Sequence, residues 1–184
     1  MFVSKRIMTI SAIVVLAALT RLVPHPPNVT AVAATALFGG AYFRSRRLAF
    51  LMPLVAMLLS DFVLGLLVYG MTSMKSQPVV YLCMLIMVAI GRIIQTRRSV
   101  ANIALATLVS SFIFYLVTNF AVWAFDSLYP TTWAGLTACY TAAIPFFRNS
   151  LIGDIFFASV LFGGFALLER FSVSLREPQE PLTV

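Results

Sequence analysis

The sequence predicts an all-α membrane protein, a bundle of six transmembrane helices with both termini on one side. Three observations predict it. Of 184 residues, 61% are apolar and 10% are charged, whereas a soluble domain runs at roughly 45–50% apolar and about 25% charged. Mean hydropathy is +0.98. The apolar residues form six runs divided by short polar breaks, and one span takes about 20 residues. Arginine and lysine gather at alternate breaks. Six spans leave room only for short loops, so a separate soluble catalytic domain is excluded. Disorder, coiled coil, collagen and a disulfide scaffold are excluded by the same composition.

The first run, Ile7 to Val23, follows Lys5 and Arg6. It has the look of a signal peptide but is long. It ends in Arg21-Leu22-Val23-Pro24-His25-Pro26-Pro27 without a small-x-small cleavage pattern, so it is read as a retained span. The second run, Thr30 to Phe43, is short, rich in Ala and Gly, and stops at Arg44-Ser45-Arg46-Arg47. The third, Leu48 to Tyr69, carries Asp61, and a polar loop from Gly70 to Pro78 follows. The fourth, Val79 to Ile94, is closed by Arg92, Arg97 and Arg98. The fifth is Val100 to Phe125. The segment Asp126 to Phe147 contains Pro130, Gly135 and Pro145 and is read as an outer loop. The sixth run is Arg148 to Leu168, ending at Glu169-Arg170. Residues 1–170 thus form a single transmembrane domain. The tail from Phe171 to Val184 is polar, holds two prolines and is expected to be disordered.

Thirteen basic residues against six acidic ones give a net charge of +7. Because the excess sits in clusters between apolar runs, it marks topology rather than nucleic-acid binding. With six spans, Lys5/Arg6, Arg44/Arg46/Arg47, Arg92/Arg97/Arg98 and Arg170/Arg176 share one side. The positive-inside rule makes that side the cytoplasm of a cell bounded by this plasma (inner) membrane. The loops Pro24–Asn28, Gly70–Pro78 and Asp126–Phe147 then lie outside. In the second run, Thr35/Gly39 and Ala36/Gly40 are small-xxx-small pairs, which let helices approach closely within a bundle or against a partner membrane protein.

Charged groups inside a membrane are costly, and each needs a reason. Arg21, Asp61, Arg148 and Asp154 fall in the outer half of their spans. Paired with one another they would leave an outward polar pocket, or else serve only as ion pairs that fix helix packing. A shared pocket requires Asp61 and Arg148 to lie on the same face of the bundle. Asn119 and Trp123 share a face of the fifth helix, and Tyr140 and Asn149 precede or begin the sixth. Prolines stiffen the loop that carries His25 and Asn28. The expected ligand-binding set is therefore Arg21, His25, Asn28, Asp61, Asn119, Trp123, Tyr140, Arg148, Asn149 and Asp154. Arg21, His25, Arg148 and Asn149 would meet anionic or polar groups. Trp123 and Tyr140 would stack on a ring, unless they belong to the aromatic belt at the headgroups. Asp61, Asn119 and Asp154 would hold the arginines or bind a cation.

Enzyme templates fit poorly. A single histidine in a surface loop cannot activate a buried serine, and arginines near Asp61 and Asp154 oppose an aspartyl mechanism. No Walker loop or dinucleotide glycine pattern is present. Cys83 and Cys139 stand alone in apolar surroundings, so neither a metal centre nor a cofactor is expected.

The stretches Pro24-His25-Pro26-Pro27-Asn28, Thr118-Asn119-Phe120-Ala121-Val122-Trp123 and Pro145-Phe146-Phe147-Arg148-Asn149, with Leu59-Ser60-Asp61, resemble a bacterial integral-membrane family of unknown function. A more distant resemblance is to the S components of energy-coupling-factor vitamin transporters, the solitary cobalamin-uptake members above all. It rests on Ala18-Leu19-Thr20-Arg21, His25-Pro26-Pro27-Asn28 and Ala41-Tyr42-Phe43-Arg44. That resemblance implies six helices, both termini inside, and a ligand held near the outer surface. Two features depart from it. Lys75-Ser76-Gln77-Pro78 stands where the cobalt-ligating cysteine would be, and the first span lacks Ala-x-x-x-Ala. The expected function is substrate binding for uptake of a vitamin- or metabolite-like molecule. The alternatives are an ion- or proton-coupled carrier using Asp61 and Asp154, or a non-transporting accessory subunit packed through the second span. Expected partners are the bilayer, the small ligand and, on the S-component likeness, an energising membrane module; nucleic acid is not among them.

Overall fold

The computed structural model describes residues 4–69 and 77–176. Most of the loop Gly70–Pro78, with Lys75, and the tail from Glu177 onward lie outside the described residues. The regular structure of the described residues is all helical: α1 (Lys5–Leu19), α2 (Val32–Tyr42), α3 (Arg46–Leu64), α4 (Gln77–Ile93), α5 (Val100–Phe125), α6 (Trp133–Ala158) and α7 (Gly164–Phe171). A short 3₁₀ turn, Thr20–Leu22, extends α1, and a π turn, Gly65–Tyr69, extends α3. A second π turn, Ser159–Gly163, joins α6 to α7 in one helix of 39 residues.

Hydroxyl caps set several starts. Ser4 accepts from the Ile7 amide at 3.3 Å, Ser99 from Asn102 at 3.2 Å, and Thr132 from Gly135 at 3.1 Å. Each satisfies a donor that the first helical turn leaves open. The Thr132 cap overturns one expectation. Trp133 to Phe147 is not an outer loop but the first four turns of α6, and Arg148 lies inside that helix rather than at its start. Pro145 costs one backbone hydrogen bond there, a loss that an apolar helix packed on neighbours absorbs. Only Asp126–Thr132 connects α5 to α6.

The centre of the bundle is α2. Every residue from Ala33 to Tyr42 is buried, with α4 and α3 as its main neighbours and α6, α1 and α5 around them. Its glycines explain the fit. A Cβ on Gly40 would strike the Val88 carbonyl and come within 3.0 Å of Gly91 Cα; one on Gly91 would strike the Leu37 carbonyl. A Cβ on Gly39 would meet Pro53 Cγ at 2.6 Å. The small face of α2 is therefore packed inside its own bundle.

Arg46–Val68, Val100–Phe125 and Trp133–Phe171 are each long and apolar enough to cross a membrane; α2 and α4 are apolar but shorter. Large apolar side chains such as Leu67, Ile93, Val100 and Phe125 stand on the surface, where only lipid would favour them. The chain is a helical membrane protein.

The basic clusters converge on one end of the bundle, around the C-terminus of α2. Arg92 and Gln95 donate to the Phe43 carbonyl at 3.3 and 2.9 Å, and Arg98 donates to Ala41 at 3.1 Å. The Arg98 guanidinium also lies 4.6 Å from the Tyr42 ring centre. Arg6 is buried against the Phe165 ring, pairs with Glu169 at 2.5 Å and donates to the Leu175 carbonyl. The last contact folds Ser172–Arg176 back on the bundle, with Leu175 buried. Arg6→Ala should destabilise the fold by about 1–3 kcal/mol, because Glu169 and the Leu175 carbonyl lose a buried donor. Tryptic cleavage after Arg170 and Arg176 in detergent should then accelerate; unchanged digestion would show that Arg6 does not hold this segment.

Candidate functional site

The ten expected site residues do not form one pocket. They divide into two groups on either side of α2, and His25 and Arg148 lie at the surface away from both.

The first group is an ion-pair network. Arg21 sits in the 3₁₀ turn that ends α1, and Asp61 is on α3. Arg21 Nη1 is 2.6 Å from Asp61 Oδ1, and their side chains are 12% and 1% exposed. Arg21 also donates to Ser60 Oγ at 2.7 Å and lies 2.8 Å from Met57 Sδ. Tyr81 on α4 donates to Asp61 Oδ2 at 2.7 Å. Both carboxylate oxygens are thereby held, and three helices are tied together. Beside Arg21 there is space for only about 10 Å³, too little for a ligand. This network stabilises the packing of α1, α3 and α4.

The second group borders a cavity of about 480 Å³ between α4, α5, α6 and the loop that precedes α2. Phe114, Tyr115, Thr118 and Asn119 line it from α5, and Phe146, Phe147 and Ser150 from α6. Asn28 closes it below, and Asp126 stands in its wall at the end of α5. Asn28 adopts a left-handed backbone, φ 64°, which asparagine tolerates better than most residues. The turn continues with the Val29 amide donating to Pro26 O at 3.1 Å.

Reciprocal bonds hold the two long walls together. Tyr115 Oη donates to Tyr140 O at 2.8 Å, and Tyr140 Oη donates to Leu116 O at 2.7 Å. The Tyr115 ring packs 4.7 Å from that of Phe147 and 5.5 Å from that of Tyr140. Asn119 Nδ2 donates back to Tyr115 O at 2.7 Å, and Trp123 Nε1 to Pro130 O at 3.1 Å. Trp123 and Tyr140 are therefore fasteners of the α5–α6 hairpin and do not line the cavity.

Asp154 lies below the cavity floor. Its buried carboxylate accepts from Ser111 Oγ at 2.7 Å, and Ser111 is itself in the cavity wall. Gly153 lets α6 press on the loop, since a Cβ there would come within 3.1 Å of Val29 Cα. Among the described residues no basic group pairs with Asp154.

Asp61 and Arg148 do not share a pocket, because α3 and α6 pack on different sides of α2 and Arg148 is exposed. Arg21 and Asp61 pair with each other, the arrangement expected of acids that hold the arginines. His25 is exposed, its Nδ1 2.7 Å from Val23 O. Asn149 ties α6 to the proline loop through Pro27 O at 3.2 Å. Of the expected set, Asn28 and Asn119 line the cavity and Asp154 adjoins it. Sequence reasoning missed Tyr81, Phe114, Tyr115, Phe147 and Ser150. The available signal was helical spacing: Ser111, Tyr115, Thr118 and Val122 form one stripe, and Ala143, Phe147, Ser150 and Asp154 another. The second stripe was hidden by reading Asp126–Phe147 as a loop.

Two of the motif stretches thus meet in space, the proline loop and the end of Pro145–Asn149. The chain belongs to a family of unknown function, DUF6580. The family's pattern matches residues 2–176, nearly the whole chain. No curated protein and no solved structure matches it. Among the described residues no three of His, Cys, Asp and Glu are gathered as a metal site would need.

Proposed function

We propose that the chain is a six-span protein of the bacterial inner membrane, with both termini cytoplasmic, that binds a small vitamin- or metabolite-like molecule for uptake. The single observation that carries this reading is the cavity of about 480 Å³. It has the size and the mixed aromatic and amide lining of small-molecule sites, and it lies toward the end opposite the basic clusters. Taking the basic end as cytoplasmic turns the cavity outward. The short α2 is what makes room. Its eleven residues span only about 16 Å, and the proline loop covers it like a floor between longer walls. An S-component-like arrangement has the same general plan, with six helices and a ligand near the outer surface. We read the protein as a binder rather than an enzyme.

A second reading, the ion- or proton-coupled carrier, finds support at one of its two acids. Asp61 is held by Arg21 and Tyr81, whereas Asp154 is buried without a basic partner among the described residues. A carrier would then work through Asp154.

Thermal unfolding of the detergent-purified protein against a panel of vitamins and metabolites tests the leading reading. A specific binder at about 100 times its Kd should add roughly 2.7 kcal/mol of stability. Ala143→Phe, which fills the cavity from the α6 wall, should abolish that gain while the unliganded protein still folds. A flat response across the panel, or a gain untouched by Ala143→Phe, would sink the cavity as the binding site.

A further inference from the structure

A crevice of about 20 Å³ adjoins the cavity, sharing Asn28, Phe114 and Ser150 with it and counting Asp154 in its lining. Thr30, Val32 and Ala33 complete the crevice wall, so neither α2, α5, α6 nor the loop brings a basic side chain to the carboxylate there. Ser111 offers Asp154 its one hydroxyl hydrogen from 2.7 Å, yet the same oxygen lies 3.0 Å from Thr107 O. The carboxylate's side-chain donor is thus shared with a backbone acceptor. A buried carboxylate in this state needs a positive charge or a proton from outside the protein. The size of the crevice restricts the candidates. Its volume admits one water-sized group, and a primary ammonium is that size, whereas a trimethylammonium is not. Above it the rings of Phe114, Tyr115, Phe146 and Phe147 offer an apolar seat, with faces that attract cations. Among the described residues no arginine, lysine or histidine lines the cavity, which favours a cationic over an anionic ligand.

We infer that the cavity binds a primary amine with an apolar or aromatic body, its ammonium seated in the crevice on Asp154. The inference rests on the binding-protein reading and gives its ligand a chemical class. Asp154 supplies the carboxylate for that ammonium, and Ser150 and Asn28 border the same crevice.

Binding of 2-phenylethylamine to the detergent-purified full chain tests this, beside three matched probes: 2-phenylethanol, 3-phenylpropionate and the N,N,N-trimethyl derivative of the amine. The amine should bind at least about tenfold more tightly than the alcohol, the anion or the trimethyl compound, reflecting a charge-assisted bond in a confined site. Asp154→Asn keeps the shape and the Ser111 contact, so it should fold and lose the amine's advantage over the alcohol. Asp61→Asn should leave that ratio unchanged in whatever fraction folds. Equal binding of alcohol and amine, tighter binding of the anion or the trimethyl compound, or an unaltered preference in Asp154→Asn would overturn the inference. In those cases binding that Ala143→Phe still blocks leaves the cavity reading standing. Absence of amine binding at millimolar concentration overturns the amine inference alone, unless the wider metabolite panel is also flat.

Discussion

Arg21→Ala is expected to cost about 3–5 kcal/mol of stability, the range for stranding one partner of a buried ion pair. The substitution leaves Asp61, whose side chain is 1% exposed, with Tyr81 as its remaining side-chain partner. Ser60 and Met57 lose their contact with the guanidinium as well. Unfolding in mixed micelles with increasing SDS would read the loss. Two further variants separate charge from packing. Tyr81→Phe removes one neutral donor to a carboxylate and should cost only about 1–3 kcal/mol. The double substitution Arg21→Met with Asp61→Leu should recover most of the stability, because a matched apolar pair avoids desolvating two charges. A loss below about 1 kcal/mol for Arg21→Ala, the level of a surface pair, would show that the network does not hold α1 to α3. The same experiment bears on function: ligand binding in the cavity should survive in the double variant, since Arg21 and Asp61 lie on the other side of α2.

The α2–α4 crossing carries the second large effect. Gly91→Leu should yield no monodisperse protein on size-exclusion chromatography, because its Cβ alone strikes the Leu37 carbonyl and comes within 3.0 Å of Gly40 Cα. Backbone has to move, and α2 is enclosed on all sides, so the strain has no direction of release. Gly91→Ala brings the same Cβ against the Leu37 carbonyl and should cost at least the roughly 1–3 kcal/mol typical of overpacking. Gly164→Leu is the control: a Cβ there meets nothing within 4 Å, and replacing glycine within a helix is intrinsically favourable by up to about 1 kcal/mol. Equal behaviour of Gly91→Leu and Gly164→Leu would refute the close crossing. The contrast matters because both glycines sit in apolar helices and look alike in the sequence.

Much of the helical frame was legible. Apolar runs and basic breaks located α1, α3, α4 and α5 to within a few residues, since lipid and water impose their preferences on each segment independently of the others. The start of α6 was not found. Pro130-Thr131-Thr132 is a cap signal before an apolar run, but Gly135 and Pro145 argued for a loop. The protein tolerates both inside one helix, as Gly135 packs against Pro130 and α5 lies along the other side. That one error hid the α6 stripe and with it most of the cavity wall. Asn119 and Asn28 were found because amides in apolar surroundings are conspicuous. Phe114 and Phe147 were not, because a phenylalanine facing a cavity and one facing lipid read the same.

The sequence by itself determined the environment, the all-helical class and the gathering of basic residues at one end. These follow from composition and order, which the solvent reads locally. Only the tertiary structure decided which charges neutralise one another. Arg21 met Asp61 because α1 packs on α3, Arg148 came to the surface, and Asp154 was left buried beside a cavity with no basic partner among the described residues. Pairing depends on which helices become neighbours, and that is set by close contacts such as Gly40 on Gly91, not by the spacing of charges along the chain.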